Sequence, residues 1–128
     1  MMDNDFDIVA AFGGIARGER IAIYIPNKDK DGQPVNQGPW VDEAINLLSD
    51  VGGGATAMPP VTGAWRNPET KLLVIEEPIV VYCYIEPDIL IEKVEELVAF
   101  VRRLGRNTNQ GAVALEYGGT FFTVENFD

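Results

Sequence analysis

The residues best suited to bind a ligand by hydrogen bonding form one polar segment ahead of the last apolar runs. Asn107, Thr108, Asn109 and Gln110 are consecutive amide or hydroxyl side chains, and Arg106 directly precedes them. Amide and hydroxyl groups both donate and accept hydrogen bonds, and Arg106 adds positive charge to an acidic protein. The segment fits contact with a ligand or a partner. The same side chains could equally cap the preceding helix and hold the neighbouring loops.

Two tryptophans and their charged neighbours form a second group of candidates. Trp40 opens a helical pattern, and Trp65 ends an extended run and is followed by Arg66. An exposed tryptophan pair can stack on a planar ligand or anchor a partner; the alternative is that both rings pack over the rim of the core. Glu76 and Glu77 are adjacent, so in a strand they point to opposite faces and form no acid–base pair. Glu76 could face a polar pocket under the hairpin; the alternative is a surface or bulge position next to Pro78.

The composition excludes several kinds of catalytic chemistry. The sequence has no histidine and one cysteine, Cys83, so Ser-His-Asp and Cys-His catalysis and the common zinc, copper, haem and iron–sulfur ligand sets are ruled out. Asp29–Gly32 looks like part of a calcium loop, but Gly38 stands where the closing glutamate belongs. We predict no catalytic residue, metal or cofactor, and a buried Cys83. The predicted ligand- or partner-binding residues are Trp40, Trp65, Arg66, Glu76, Arg106, Asn107, Asn109 and Gln110.

The charge balance bears on partners and location. The chain has 128 residues, with 20 acidic and 10 basic side chains and a formal net charge of -10. Nucleic-acid binding needs a basic surface, and an anionic membrane repels an acidic protein, so we expect neither partner. The acidic start Met1–Asp7 is unlike a signal peptide, and the apolar run 79–85 is too short to span a membrane. We expect a cytoplasmic protein of bacterial type.

Periodicity predicts two helices separated by extended runs. The first helix begins at Pro39 and ends at the glycines 52–54, and the second opens at 86–88 and is capped by Gly105. The pair Gly118–Gly119 predicts a tight hairpin between the last two strands. The predicted strands cover residues 20–25, 55–65, 72–75 continued by 79–85, 111–117 and 120–124.

This order of elements is the β-α-β-β-α-β pattern of a ferredoxin-like fold, in the α+β class. We predict an antiparallel sheet with two helices on one face and an extra C-terminal hairpin strand, forming a domain over residues 19–128 after an N-terminal appendage, residues 1–18. The strand 79–85 is apolar on both sides, so we expect another copy of the chain to cover the face away from the helices. The predicted homo-oligomer, first a dimer, has an interface that contains Tyr24, Val80, Tyr82 and Tyr84.

The same topology brings three connections to one end of the sheet, which we call the loop end. These connections are residues 27–38, 66–71 and 105–111. Loops that a rigid scaffold holds together are common places for binding sites. We therefore expect the polar side chains of the three connections to converge there.

The glycine turn Gly53-Gly54-Ala55-Thr56, the hairpin sequence Gly63-Ala64-Trp65-Arg66 and the segment 104–111 resemble small uncharacterised bacterial proteins of the ferredoxin-like kind. More distantly, the chain is similar to the PII and CutA class of small trimeric proteins. The resemblance covers roughly residues 20–124 and implies the fold. PII proteins bind nucleotides through glycine-rich and basic loops, and this chain has no comparable basic loop. Because the more similar proteins are uncharacterised, the resemblance carries over no catalytic residue.

Taken together, the residues favour a non-enzymatic, homo-oligomeric module that binds a small ligand or a protein. One alternative is a small oligomeric enzyme that works with carboxylate, tyrosine and arginine side chains. Another is an acidic partner that neutralises a basic protein, which the net charge would suit.

Overall fold

A central antiparallel sheet organises the protein, for which the computed structural model describes residues 6–128. In chain order the helices are α1 (Ile8–Ala11), α2 (Gln37–Gly52) and α3 (Pro87–Asn107), and the strands are β1 (Glu19–Ile25), β2 (Thr56–Ala57), β3 (Gly63–Arg66), β4 (Leu73–Glu76), β5 (Ile79–Ile85), β6 (Val113–Tyr117) and β7 (Thr120–Val124). The central sheet has the order β2-β5-β1-β6-β7, and β3 pairs with β4 in a separate two-stranded sheet.

The connections confirm the ferredoxin-like, α+β class predicted from the sequence. β1 lies between β5 and β6 and is antiparallel to both. α2 joins β1 to β2, and α3 joins β5 to β6. Both helices pack on one face of the sheet, where the strand residues Ile23, Val81 and Leu115 belong to the same buried cluster as Leu48 of α2 and Phe100 of α3.

The alternation of side chains along β1 decides what each face of the sheet carries. Ile21, Ile23 and Ile25 occupy every second position and belong to the core under the helices. Ala22 and Tyr24 lie between them and therefore point to the opposite face. Both long helices, α2 and α3, lie on the other side of the sheet and do not cover that second face.

α2 begins at Gln37, two residues before the predicted start at Pro39. The Gln37 amide donates a hydrogen bond to the carbonyl of Ile25 at 3.0 Å, which ties the start of the helix to the end of β1. At the other end, Gly53 has a φ of 83° and its N–H donates to the Ser49 carbonyl at 2.9 Å. Glycine is favoured in this left-handed cap, so the helix ends at the predicted glycines.

α3 is longer than predicted, because Gly105 lies inside the helix and does not cap it. The helix continues to Asn107, and beyond its end the Thr108 hydroxyl donates to the Leu104 carbonyl at 2.6 Å. A side chain at position 105 would collide with the ring of Phe127, which lies against this turn of the helix. The prediction of a glycine cap was wrong, because this glycine instead admits the C-terminal segment.

The predicted strand 55–65 is divided between two sheets. Only β2 pairs with β5, and the break that follows contains Pro59–Pro60, which have no N–H to donate to a ladder. The chain then forms β3, which pairs with β4 to give a hairpin that we call the arm, residues 63–76. The predicted run 72–75 therefore belongs mainly to the arm, while β5 alone continues in the central sheet.

The C-terminal end of the chain adds a strand to the central sheet, whereas the N-terminal end contributes no strand to it. Gly118 and Gly119 have φ values of 57° and 85°, as the predicted two-glycine hairpin requires, and β7 pairs with β6 beyond them. Residues 6–18 precede the sheet and contain α1, which buries none of its residues. No helix in the described residues is both long and apolar enough to cross a membrane.

The close approach of α2 to β5 gives a first test. A Cβ at Gly52 would lie 2.8 Å from both the Cys83 sulfur and the Tyr84 carbonyl oxygen, whereas one at Gly54 would meet nothing within 4 Å. We expect Gly52→Ala to lower the free energy of unfolding by about 1–3 kcal/mol, because the β5 backbone cannot move aside cheaply. Urea denaturation measures this, with Gly54→Ala as the matched control. Equal stability of the two variants would contradict the packing described.

Candidate functional site

The sheet face away from the helices carries a cluster of aromatic rings around one ion pair. The strand register places Ala22 opposite Tyr82 and Tyr24 opposite Val80, and it pairs Glu116 of β6 with Phe121 of β7. These side chains therefore share one surface. We call this surface the tyrosine face and define it by Arg20, Tyr24, Tyr82, Tyr84, Glu116 and Phe121.

Glu116 is the polar centre of the tyrosine face. The Tyr24 hydroxyl donates to its carboxylate at 2.8 Å, and the Arg20 Nε lies 3.9 Å from its other oxygen. The Arg20 guanidinium also covers the Tyr82 ring, 4.2 Å from the centroid. Burial and the hydrogen bond to Glu116 raise the pKa of Tyr24 above its ordinary value. The Tyr24 phenol therefore stays protonated, and its hydroxyl donates a hydrogen bond to the Glu116 carboxylate.

The outer part of the tyrosine face is open to solvent. Phe121 is 59% exposed and meets Tyr24 edge to face, with the centroids 6.1 Å apart. Tyr84 is 48% exposed and makes the same kind of contact with Tyr82, again at 6.1 Å. Val80, the fourth residue predicted for an interface, lies on this face but is only 4% exposed. Tyr24, Tyr82 and Tyr84 therefore offer more contact surface than Val80 does.

A cavity of about 600 Å³ adjoins the tyrosine face where α2 ends, and we call it the glycine-turn cavity. Its lining combines the glycine turn with two tyrosines and two charged residues: Gly52–Gly54, Tyr82, Tyr84, Arg17 and Glu86, together with Val51, Thr56, Cys83 and Ile89. The lining is mixed, with aromatic faces for stacking and charged groups for hydrogen bonds. Such a mixture in a cavity of this size suits a small organic ligand.

Local structure explains why the charged groups line the cavity. Glu86 directly precedes α3, yet its side chain makes no capping hydrogen bond to the helix. Arg17 precedes Gly18, whose φ of 91° turns the chain tightly across the backbone at Ile85. The two side chains are therefore brought to the cavity by turns in the chain, while the tyrosines are held on β5.

At the loop end, the predicted binding residues are used to hold two connections together. The Asn109 amide donates to the carboxylates of Asp29 and Asp31 at 3.2 and 3.0 Å. The Gln110 amide donates to the Lys28 carbonyl at 2.9 Å. These contacts join the segment 105–111 to the loop 27–38. They agree with the alternative given above, in which these side chains hold neighbouring loops.

The charge of Asp29 is part of the same arrangement. The Gln33 N–H, the Asn109 amide and the Asp31 N–H all donate hydrogen bonds to its carboxylate, and they hold its pKa below the ordinary value. Asn109 itself has a φ of 51°, a left-handed conformation that asparagine tolerates better than most residues. Its residue type is thus explained by the turn and its two carboxylate contacts.

The remaining predicted site residues are dispersed. Trp40 packs edge to face on Phe100, with centroids 6.1 Å apart, and is partly buried against the core. Trp65 is 47% exposed on the arm, where its indole N–H donates to the Glu76 carboxylate at 3.3 Å. In the arm, Arg66 also donates to a backbone carbonyl of the turn. Of the two predicted residues at the end of α3, Arg106 donates to the Phe127 carbonyl and Asn107 is exposed.

Sequence reasoning missed the residues that give the glycine-turn cavity and the tyrosine face their charge. Arg20 lies on the same side of β1 as Tyr24, and Glu116 lies on the same side of β6 as Ala114. In both strands this is the side away from the helices, and the two-residue alternation is visible in the sequence. Joining them required the strand register, in which Glu116 lies opposite Ala22. Within residues 6–128, no group of three or more cysteine, aspartate or glutamate side chains is arranged to hold a metal ion.

The chain shares its fold with two solved structures. No protein-family model and no curated protein matches it. It is similar to a phage SAM lyase in complex with S-methyl-5'-thioadenosine, at a TM-score of 0.62 and 15% identity over 88% of this chain and 92% of that one. It is also similar to a phage SAM lyase in the apo state, at a TM-score of 0.53 and 15% identity over 85% and 90%. At this identity, the likeness shows the fold alone.

Cys83 is one of the residues that line the glycine-turn cavity, and the reactivity of its thiol tests how deeply the sulfur is buried there. The side chain is buried, and burial raises the pKa of the thiol to about 11. At pH 8, roughly one thiol in a thousand would then be the reactive thiolate. We expect an aromatic disulfide reagent to leave the folded protein unlabelled and to release one equivalent of chromophore in denaturant. Fast labelling of the folded protein would contradict the burial of the Cys83 sulfur in the cavity wall.

Proposed function

We propose that this protein is a small homo-oligomeric enzyme that binds S-adenosylmethionine (SAM) in the glycine-turn cavity and cleaves it as a lyase. The cavity carries this proposal, because two tyrosines, a glutamate and an arginine line one space beside a glycine turn. The shared fold with a SAM lyase that was solved with S-methyl-5'-thioadenosine supports the choice of ligand. Fold alone does not imply function, so the side chains of the cavity residues must account for the choice of ligand.

The chemistry of the cavity matches the parts of SAM. The ring of Tyr84 offers a flat surface for the adenine, and aromatic faces also attract the positive sulfonium. The Glu86 carboxylate can accept hydrogen bonds from ribose hydroxyls. The Arg17 guanidinium can hold the carboxylate of the amino-acid part in a fixed position. Each part of the ligand therefore has a group of matching chemistry in the lining.

The reaction suits a chain without histidine and with one buried thiol. Cleavage of SAM to S-methyl-5'-thioadenosine breaks the bond between the sulfonium sulfur and the amino-acid carbon chain, and the electron pair stays on sulfur. The carboxylate at the other end of that chain can form the new bond to carbon, which closes a ring and needs no nucleophile from the protein. The protein then contributes by holding the substrate in the reactive conformation.

The proposed oligomer uses the tyrosine face. Its exposed rings, Tyr84 and Phe121, are large apolar groups of the kind that another protein surface usually covers. Tyr82 and Tyr84 belong to both the tyrosine face and the glycine-turn cavity, so a second copy on this face would also close one side of the cavity. We propose a cytoplasmic location, in keeping with a single buried cysteine.

The ligand is tested by calorimetric titration with S-methyl-5'-thioadenosine and by chromatography of SAM incubated with the protein. We expect binding of the thioadenosine, and we expect Tyr84→Ala to weaken it roughly 5- to 150-fold, the usual range for loss of one stacking ring. Trp65→Ala is the matched control, since its ring is equally exposed but lies on the arm. Binding without SAM cleavage would identify a non-enzymatic binding module, and equal affinity of both variants would reject this site.

Self-association is tested separately at Phe121, which lies on the tyrosine face but does not line the glycine-turn cavity. We expect Phe121→Glu to sediment as a smaller species than the unmodified protein at the same concentration, because a charge would have to be desolvated in the contact. Leu72→Glu places the same charge at an exposed position of the arm and should leave the sedimentation unchanged. If Phe121→Glu associates as before, the tyrosine face is not an interface.

A further inference from the structure

A second apolar surface lies on the helix side of the sheet, between α3 and the C-terminal hairpin. There a cavity of about 560 Å³ is lined almost entirely by apolar side chains. Val94 and Val98 of α3 and Phe122 of β7 are all exposed there, although they lie on the side where helix and sheet should pack closely. We call this surface the α3 groove and define it by Leu90, Val94, Val98, Val101, Phe122 and Val124.

The N-terminal segment, residues 6–15, is the complementary feature. It is apolar throughout apart from Asp7, and α1 within it is a single turn stabilised by the Asp7 carboxylate, which accepts from the Ala10 N–H at 3.1 Å. None of its large apolar side chains is buried, and Phe12 is 83% exposed. A short helix that exposes every apolar residue lacks the packing that normally stabilises a helix. The exposed apolar residues of the segment are Phe6, Ile8, Val9, Phe12 and Ile15.

The path of the chain leads the N-terminal segment away from its own α3 groove. Arg17 lines the glycine-turn cavity beside Gly52–Gly54, on the side of the sheet where β2 and β5 lie. The α3 groove lies on the other side of β1, next to β6 and β7. Gly18 holds this direction, because its backbone passes so close to Ile85 that a Cβ would collide with the carbonyl.

We propose that the N-terminal segment of one copy docks in the α3 groove of a second copy. The occupant is an apolar turn of helix, and a hydrophobic groove is a usual acceptor for the apolar face of a helix. The charges are compatible, since Asp7 is the one charged residue of the segment and Arg102 lines the groove, with Glu125 as its acidic neighbour. Docking buries the exposed rings of both partners.

Cross-linking between two different chains tests the contact directly. One chain carries Phe12→Cys and the other Val98→Cys; they are mixed and treated with a short bismaleimide. We expect a covalent dimer that contains both chains. Ile91→Cys replaces Val98→Cys as the matched control, because Ile91 is 77% exposed on α3 but does not line the groove. The unmodified chain serves as a blank for its buried Cys83.

Two results would overturn the proposal. The first is a yield of mixed dimer with Val98→Cys that is no higher than with Ile91→Cys. The second is an internal cross-link, without covalent dimer, in a single chain that carries both Phe12→Cys and Val98→Cys, since the segment would then occupy its own groove. Circular dichroism of each variant confirms that it is folded before the reaction. The cross-link reports the contact itself, so the result does not depend on whether SAM is a substrate.

Discussion

The pairing of β1 with β5 is the interaction on which the rest of the structure depends. All seven residues of each strand are paired, from Glu19 opposite Ile85 to Ile25 opposite Ile79. Their alternate side chains form the floor on which α2 and α3 pack, and the residues between them form the tyrosine face. A slip of one residue in this register would exchange the two faces and place tyrosines in the core. The same register therefore sets both the core and the candidate site.

The alternation of side chains along a strand and the periodicity of apolar residues along a helix are local properties of the sequence. The features that depend on them were therefore predictable. These patterns identified the β-α-β-β-α-β pattern along the chain, both long helices, the Gly118–Gly119 hairpin and three tyrosines on one face. The role of Gly105 was not predictable, because it depends on Phe127, which reaches it through the tertiary fold. The division of the strand 55–65 was also missed, since the outer hairpin gains its own partner strand and leaves the central sheet.

The candidate site shows the same limit of local reasoning. Asn109 and Gln110 looked like ligand-binding residues because their partners are about eighty residues away in the chain, on the loop 27–38. The folded structure shows that Asn109 and Gln110 use their hydrogen bonds within the protein. The opposite end of the sheet differs, since Glu86 makes no capping hydrogen bond and lines a cavity with Arg17. Polar side chains engaged in folding are poor candidates for a ligand, which is why we propose the glycine-turn cavity as the site.

Arg17 connects the two proposals about ligand and subunit contact. It lines the glycine-turn cavity and lies two residues beyond the N-terminal segment. Docking of that segment on a second copy would restrict the chain at Arg17, so less conformational entropy would be lost when Arg17 binds a ligand. Linkage then requires the reverse effect as well: a ligand that orders Arg17 strengthens the contact between copies by the same factor. If both proposals hold, association and ligand binding form one coupled equilibrium, because Arg17 lines the cavity and follows the docking segment.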